Sequence, residues 1–323
     1  MSPATESTVT TTTAVAVSDD RFVLPVGFDL QGHRGARGLK PENTLPAFET
    51  ALDLMVTTLE LDLHLSADDE IVVWHDPEID ASKCGLRLGA PDDVPDPDDA
   101  NVPEEALAVR SLTAEQLSWY QCDRNPDPVR FPAQDASSTA LAGTLYSIVT
   151  LGELIDFVDR YAADGSKTDD QQRTAAVVQF NMETKRKPAN PDTIGDGFDG
   201  ENAGLFETRL LQIIEDEAIA ERTTIQSFDI HSLRAIRSVD SAIPLAFLES
   251  KPSVELEDLA AWGIDEWSPN MNIATESTVT EAHAAGLTVK PWTVASVAQA
   301  SILIDIGVDG LITDRPDLFF VSR

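Results

Sequence analysis

Positive charge is scarce in this chain. Its 323 residues include 23 Lys and Arg against 56 Asp and Glu, a formal net charge of −33 at pH 7. A field of that sign repels polyanions, which excludes nucleic acid and anionic membrane surfaces as partners. Lysine is rarer still, seven against sixteen arginines. High salt tolerates such a surface because screening removes the self-repulsion; an ordinary acidic secreted protein fits the same counts. Long apolar runs are missing as well. None approaches the ~20 residues of a membrane span, so no stable membrane insertion is expected, and no signal-peptide h-region stands near the start. There are two cysteines, Cys84 and Cys122, neither in a C-x-x-C pattern, which argues against zinc. They are either one disulfide stapling a loop-rich region or two unrelated thiols. The disulfide would favour an oxidising compartment, and an extracytoplasmic location, periplasmic or secreted, is favoured over the cytoplasm.

The rest of the chain is organised by alternation. Residues 1–20 are rich in Thr, Ser and Ala and read as a disordered tail, either a native start or the linker left by a removed signal. Residues 21–323 read as one domain. Strands are expected at 28–33, 58–65, 70–74, 176–185, 224–228, 245–249, 266–268, 288–293 and 310–313. Helices are expected at 43–55, 150–162, 205–220, 231–239, 254–262, 278–285 and 297–306. Residues 78–146 break the rhythm with a Pro/Asp run, a short helix at 113–120 and loop-like sequence, and form an inserted lobe. About eight β/α units in this length imply an α/β fold, a TIM (β/α)8 barrel whose reactive groups sit at the C-terminal strand ends. The heptapeptide at 4–10 recurs identically at 274–280, where it reads as a helix start capped by Thr275 or Ser277.

Chemistry-bearing residues concentrate at those ends. His33-Arg34-Gly35-Ala36 follows the first strand, Pro41-Glu42-Asn43-Thr44 the next turn, and His75-Asp76-Pro77 a third apolar run. Residues 58–65 alternate strictly, so Glu60 and Asp62 share one strand face. In a barrel neither face offers cheap solvation, and two unpaired buried carboxylates are expensive. A divalent cation held through oxygen resolves this, with Glu183 as a third ligand. His33 and His75, two strand-end imidazoles beside a carboxylate pair, supply an acid and a base near neutrality. Arg34 suits bidentate phosphate contact. Together these residues fit metal-assisted cleavage of a phosphate ester.

The order H-R-G-A, P-E-N-T, E-x-D and H-D resembles the glycerophosphodiester phosphodiesterase family. The similarity continues through Glu183-Thr184-Lys185, Gln226-Ser227-Phe228, Pro291-Trp292-Thr293-Val294 and 309–316, covering about residues 28–318. The resemblance implies hydrolysis of a small glycerophosphodiester to glycerol 3-phosphate and an alcohol. It also implies one bound divalent cation, Ca²⁺ or Mg²⁺, on Glu60, Asp62 and Glu183. His33 is then the base and His75 the acid, although the sequence leaves their order open. Arg34, Lys185, Gln226 and Trp292 would line the substrate site, with Glu42 and His64 behind it. Ala295 departs from the family's usual Asn, and the inserted lobe is long. Two other functions remain: cleavage of lipid-bearing diesters in the manner of a lysophospholipase D, and a glycerophosphodiester-binding module without turnover. Oligomeric state is not legible in the sequence.

Overall fold

The structure, a computed structural model, describes residues 21–187, 189–190 and 193–321. The Thr-rich stretch 1–20 lies outside the described residues. Among the described residues, eight parallel strands form one sheet: β2 (Asp29–Gly32), β3 (Thr58–Leu65), β7 (Gln179–Thr184), β8 (Thr223–Ser227), β9 (Leu245–Glu249), β10 (Glu266–Pro269), β11 (Thr288–Val289) and β12 (Gly310–Thr313). From β2 to β11 each pairs with the next in that order, and β12 pairs with β2 on the other side. The circle closes where Asp309 N donates to Val289 O, Ile312 N to Pro291 O and Val294 N to Ile312 O. The fold is therefore a TIM barrel. The helices α1 (Leu45–Asp53), α3 (Leu151–Ala163), α4 (Asp169–Ala175), α5 (Leu205–Asp216), α6 (Ile230–Val239), α7 (Leu256–Ala261), α8 (Glu276–Ala284) and α9 (Val297–Asp305) alternate with the strands. No helix among the described residues is long and apolar enough to cross a membrane.

Strand β3 shows why the sequence folds this way. Leu59, Leu61, Leu63 and Leu65 are buried in the main apolar core, while the intervening Glu60, Asp62 and His64 are buried away from solvent too. Period-2 alternation sends the leucines to the helix layer and the polar residues to the barrel interior. Burying each leucine stabilises the fold by about 1.5–3 kcal/mol. The neighbouring strands repeat the pattern, with Leu30, Phe180, Met182 and Ile225 in the apolar core. Gln31, Asn181 and Gln226 instead hydrogen-bond to one another inside. Register sets apolar Ile312 and Ala246 beside Gln31 and Gln226, so the barrel interior mixes polar and apolar side chains.

Several boundaries differ from expectation for identifiable reasons. The strand expected at 288–293 is regular only as far as Val289, because Pro291 has no N–H to give a ladder. The strand expected at 176–185 is regular only from Gln179 to Thr184, because helix α4, which had no counterpart in the expected elements, is capped by Thr168 through Gln171 N and ends on Ala176. Thr275, not Ser277, caps α8. The run before His75 forms β4 (Ile71–Val73), which pairs antiparallel with the far end of β3 and is no barrel strand. Outside the barrel, β1 (Phe22–Leu24) lies parallel to β13 (Phe319–Val321), a pairing with no signal in the sequence.

The insertion has a core of its own. Trp74, Ile79, Cys84, Val94, Val109, Leu112, Leu117, Tyr120 and Cys122 pack together, apart from the barrel core. Its regular structure is small: β5 (Gly85–Leu86) against β6 (Tyr120–Gln121), and helix α2 (Ala114–Leu117). A disulfide joins Cys84 to Cys122 across 38 positions of sequence. Glu49 of α1 fastens the returning chain by accepting from the N–H groups of Leu141 and Ala142 and from Lys167.

A candidate metal-assisted active site at the barrel mouth

Three carboxylates meet at the C-terminal ends of β3 and β7. Strand register sets Asp62 opposite Glu183 and Glu183 opposite Gln226. Glu60, Asp62 and Glu183 each offer an oxygen within 4.8 Å of the others, and all three are buried. Burial pushes the Glu60 carboxyl well above its usual range, and Asp62 and Glu183 add to the rise. Burial likewise pushes Glu183 up to about 7, against the opposing pull of Lys185. Burial raises Asp62 as well, but Arg34 and Lys185 outweigh it and hold that group well below the ordinary range. Asp62 Oδ1 is buried without a hydrogen-bond partner. Lys185 Nζ lies 3.3 Å from it and 2.6 Å from Glu183 Oε1. All-oxygen donors, an unsatisfied oxygen and carboxylates that cannot all ionise together fit a hard divalent cation.

The loop after β2 wraps this cluster. Gly35 has φ of 81° and lies so close to α1 that an added Cβ would stand 2.6 Å from the Ala47 backbone, so only glycine serves here. That turn aims the Arg34 N–H at Glu60 Oε2, 2.8 Å away, and sets Arg34 Nε 3.0 Å from Asp62 Oδ2. Asn43 of the P-E-N-T turn donates to Asp62 Oδ2 at 2.7 Å. Glu42 takes Arg34 Nη1 at 2.9 Å, Arg37 Nη1 at 3.2 Å and Lys83 Nζ at 2.9 Å. Burial opposes its ionisation, but Arg34, Lys83 and Arg37 hold it well below the usual carboxylate range.

Both expected imidazoles reach the cluster, by different routes. His33 ends β2, with Nε2 3.9 Å from Glu60 Oε2 and Nδ1 2.6 Å from Asp314 Oδ1. Burial opposes ionisation of Asp314, but His33 and Arg37 hold it far below its ordinary value. An ionised carboxylate only accepts, so His33 Nδ1 must donate and Nε2 carries the lone pair. Burial and the Arg37 charge, against the pull of Asp314, take His33 down to about 4, neutral at physiological pH. His75 arrives through the β3–β4 hairpin, with Trp74 N donating to Asp62 O at 3.0 Å. Its Nδ1 lies 2.7 Å from Asp76 Oδ1, and burial lowers its pKa although Asp62 pulls the other way.

The remaining candidates separate by position. His64 is buried behind the site, with Nε2 3.1 Å from the His75 carbonyl, and burial drives it down to about 3. Gln226, expected beside the substrate, donates its amide to Glu60 Oε1 at 2.8 Å and accepts from Asn181 at 3.1 Å. It braces Glu60 from below. Trp292 donates to Ser268 O at 2.8 Å and packs edge-to-face on Phe228, at 5.6 Å between centroids, which makes it a wall. Lys185 and Arg34 are paired with the carboxylates in this state. Ala295 N donates to Gln299, and none of the pairings above involves it. Sequence reasoning missed Asp314, Arg37, Asp76, Asn43 and Lys83. Asp76, Asn43 and Asp314 stand inside motifs; Arg37, just past His33-Arg34-Gly35-Ala36, and Lys83 in the lobe carried no signal.

Comparison with known proteins agrees with this geometry. The model of the glycerophosphoryl diester phosphodiesterase family matches residues 33–318. A glycerophosphodiester phosphodiesterase of Bacillus subtilis (strain 168) is 26% identical over 315 residues, covering 94% of this chain and 89% of its own. A crystal structure from Silicibacter pomeroyi DSS-3, provisionally given the same activity, superposes with a TM-score of 0.70 at 25% identity and covers 90% of each chain. An Oleispira antarctica phosphodiesterase, solved with the product sn-glycerol-3-phosphate, shares the fold with a TM-score of 0.63 at 17% identity, over 90% of this chain and 94% of that one.

Proposed function

This chain belongs to the glycerophosphoryl diester phosphodiesterase family, and on that premise we propose that it hydrolyses glycerophosphodiesters to glycerol 3-phosphate and an alcohol. One observation carries the reading: two imidazoles, each braced by its own aspartate, flank one buried carboxylate cluster. Glu60, Asp62 and Glu183 would hold one divalent cation, and their hard oxygens suit Ca²⁺ or Mg²⁺. Bound there, such an ion would stabilise negative charge developing on the phosphoryl oxygens.

The chain's own residues supply the rest. His33, neutral with Nε2 free, takes the proton from the attacking oxygen, either the adjacent glycerol hydroxyl or water. His75, oriented by Asp76, returns a proton to the departing alcohol. Arg34 and Lys185, now against the carboxylates, are the cations placed to turn to phosphate. Trp292 and Phe228 form an apolar wall at the mouth. The disulfide of the lobe supports an extracytoplasmic location.

Product analysis tests this. Glycerophosphocholine, glycerophosphoethanolamine and lysophosphatidylcholine are offered to the chelated protein, then after readdition of single metals. Release of glycerol 3-phosphate that returns with Ca²⁺ or Mg²⁺ is expected. His33→Ala and His75→Ala should each lower kcat by at least ~10². Full turnover in excess chelator, with no tightly held ion found by elemental analysis, would remove the metal. Preference for lysophosphatidylcholine would move the substrate to lipid diesters.

A further inference from the structure

A second group of side chains has the donor types of a cation site. Glu42, His75 and Asp76 offer ligand atoms within 4.8 Å of one another. A cation of the protein's own already sits among them. Lys83 Nζ lies 2.9 Å from Glu42 Oε1, is paired with Asp76 Oδ2, and stands 5.5 Å from the centroid of the Trp74 ring. The lobe holds this lysine firmly. Its N–H donates to Asp80 O, its carbonyl accepts from Arg124 N, and its neighbour Cys84 is disulfide-bonded.

We propose that Lys83 is a positioning residue for the reaction, acting through Asp76 to fix the His75 imidazole and through Glu42 to tie it to the opposite imidazole. This rests on His75 acting as an acid–base group. The connection is continuous. His33 binds Asp314 at 2.6 Å, Asp314 takes Arg37 Nε at 2.9 Å, and Arg37 Nη1 reaches Glu42 at 3.2 Å. From Glu42 the path runs to Lys83, then Asp76, then His75. Each imidazole has its aspartate, each aspartate has its cation, and both cations meet on one carboxylate.

The physical reason lies in how a carboxylate orients a ring. Asp76 gives one oxygen to His75 and is partly open to solvent, so by itself it is free to turn about its side-chain bonds. A cation on its second oxygen fixes the plane and hence the imidazole. Among the described residues, no barrel cation pairs with Asp76. Arg34 and Arg37 pair with Glu42, Asp62 and Asp314, and Lys185 pairs with Glu183 and Asp62. The lobe thereby completes the site.

Steady-state kinetics on glycerophosphocholine with saturating Ca²⁺ test the proposal. Lys83→Met should lower kcat ~10–100-fold, the usual cost of losing an outer partner of an active group, with little change in KM. Lys83→Arg, which keeps a charge at similar reach, should recover most of the loss. In an Asp76→Asn background Lys83→Met should cost nothing more, since the route to His75 is already cut. The lobe's folding is followed separately by thermal melting. A loss confined to KM, a loss undiminished in the Asp76→Asn background, or a normal kcat in Lys83→Met overturns the proposal. A normal kcat in His75→Ala overturns instead the acid–base reading beneath it.

Discussion

At the scale of single residues, burial favours the protonated form of Glu60 and Glu183 in the cluster at the mouth. Burial raises Glu183 to about 7 and lifts Glu60 as well, so the metal-free folded protein stays protonated there after the unfolded chain has released its protons. Raised carboxyls lower stability as pH climbs from the unfolded pKa, near 4.5, towards 7. Asp62, held low by Arg34 and Lys185 against its burial, works in the opposite sense at more acid pH. Thermal melts in chelator should therefore lose ground between pH 5 and pH 7.5, and Ca²⁺ should restore it with a larger shift at pH 7.5 than at pH 5. Equal shifts at both values would mean that these carboxyls release no protons to the ion. Glu60, Asp62, His33 and His75 were legible because local alternation and strand-end position mark them. The brace of His33 was not: Asp314 stands 281 positions away, a separation that no local pattern encodes.

At the scale of elements, legibility followed the regularity of the alternation. The expected strands at 58–65, 245–249 and 310–313 coincide with β3, β9 and β12, each bounded by its own apolar period. Where a strand's end depends on a partner, as at Pro291 and β4, sequence gave the residues and tertiary pairing gave the geometry. The lobe was visible only as a break in rhythm, because its core is assembled from scattered residues around one disulfide. Closing 38 positions of sequence restricts the unfolded chain, a stabilisation of about 4 kcal/mol. Cys84→Ala with Cys122→Ala should thus speed amide exchange in the lobe while the barrel strands keep their protection. Because Cys84 adjoins Lys83, the same variant should lose kcat before it loses metal affinity. Unchanged exchange in the lobe would show that its apolar core holds it without the bond.

At the scale of the whole molecule, the charge of −33 acts on everything that approaches. The ion pairs of the site are nearly all deeply buried and poorly screened, whereas the excess of acid belongs to the molecule as a whole. Two effects should therefore separate with salt. Self-repulsion favours expansion, and the Debye length falls from about 10 Å at 0.1 M to about 3 Å at 1 M, so melting temperature should climb over that range and then level off. A phosphodiester is itself an anion, and the same far field slows its arrival. Added KCl should accordingly raise kcat/KM for glycerophosphoglycerol, whose alcohol carries no charge to offset the phosphate, at low ionic strength, while kcat, set by buried groups, stays nearly constant and the zwitterionic glycerophosphocholine responds much less. Measuring both constants at fixed saturating Ca²⁺ keeps competition between K⁺ and the divalent ion out of the comparison. If kcat/KM falls as KCl rises, the local cations Arg34, Arg37, Lys83 and Lys185 govern the encounter, and the acidic surface matters only for stability.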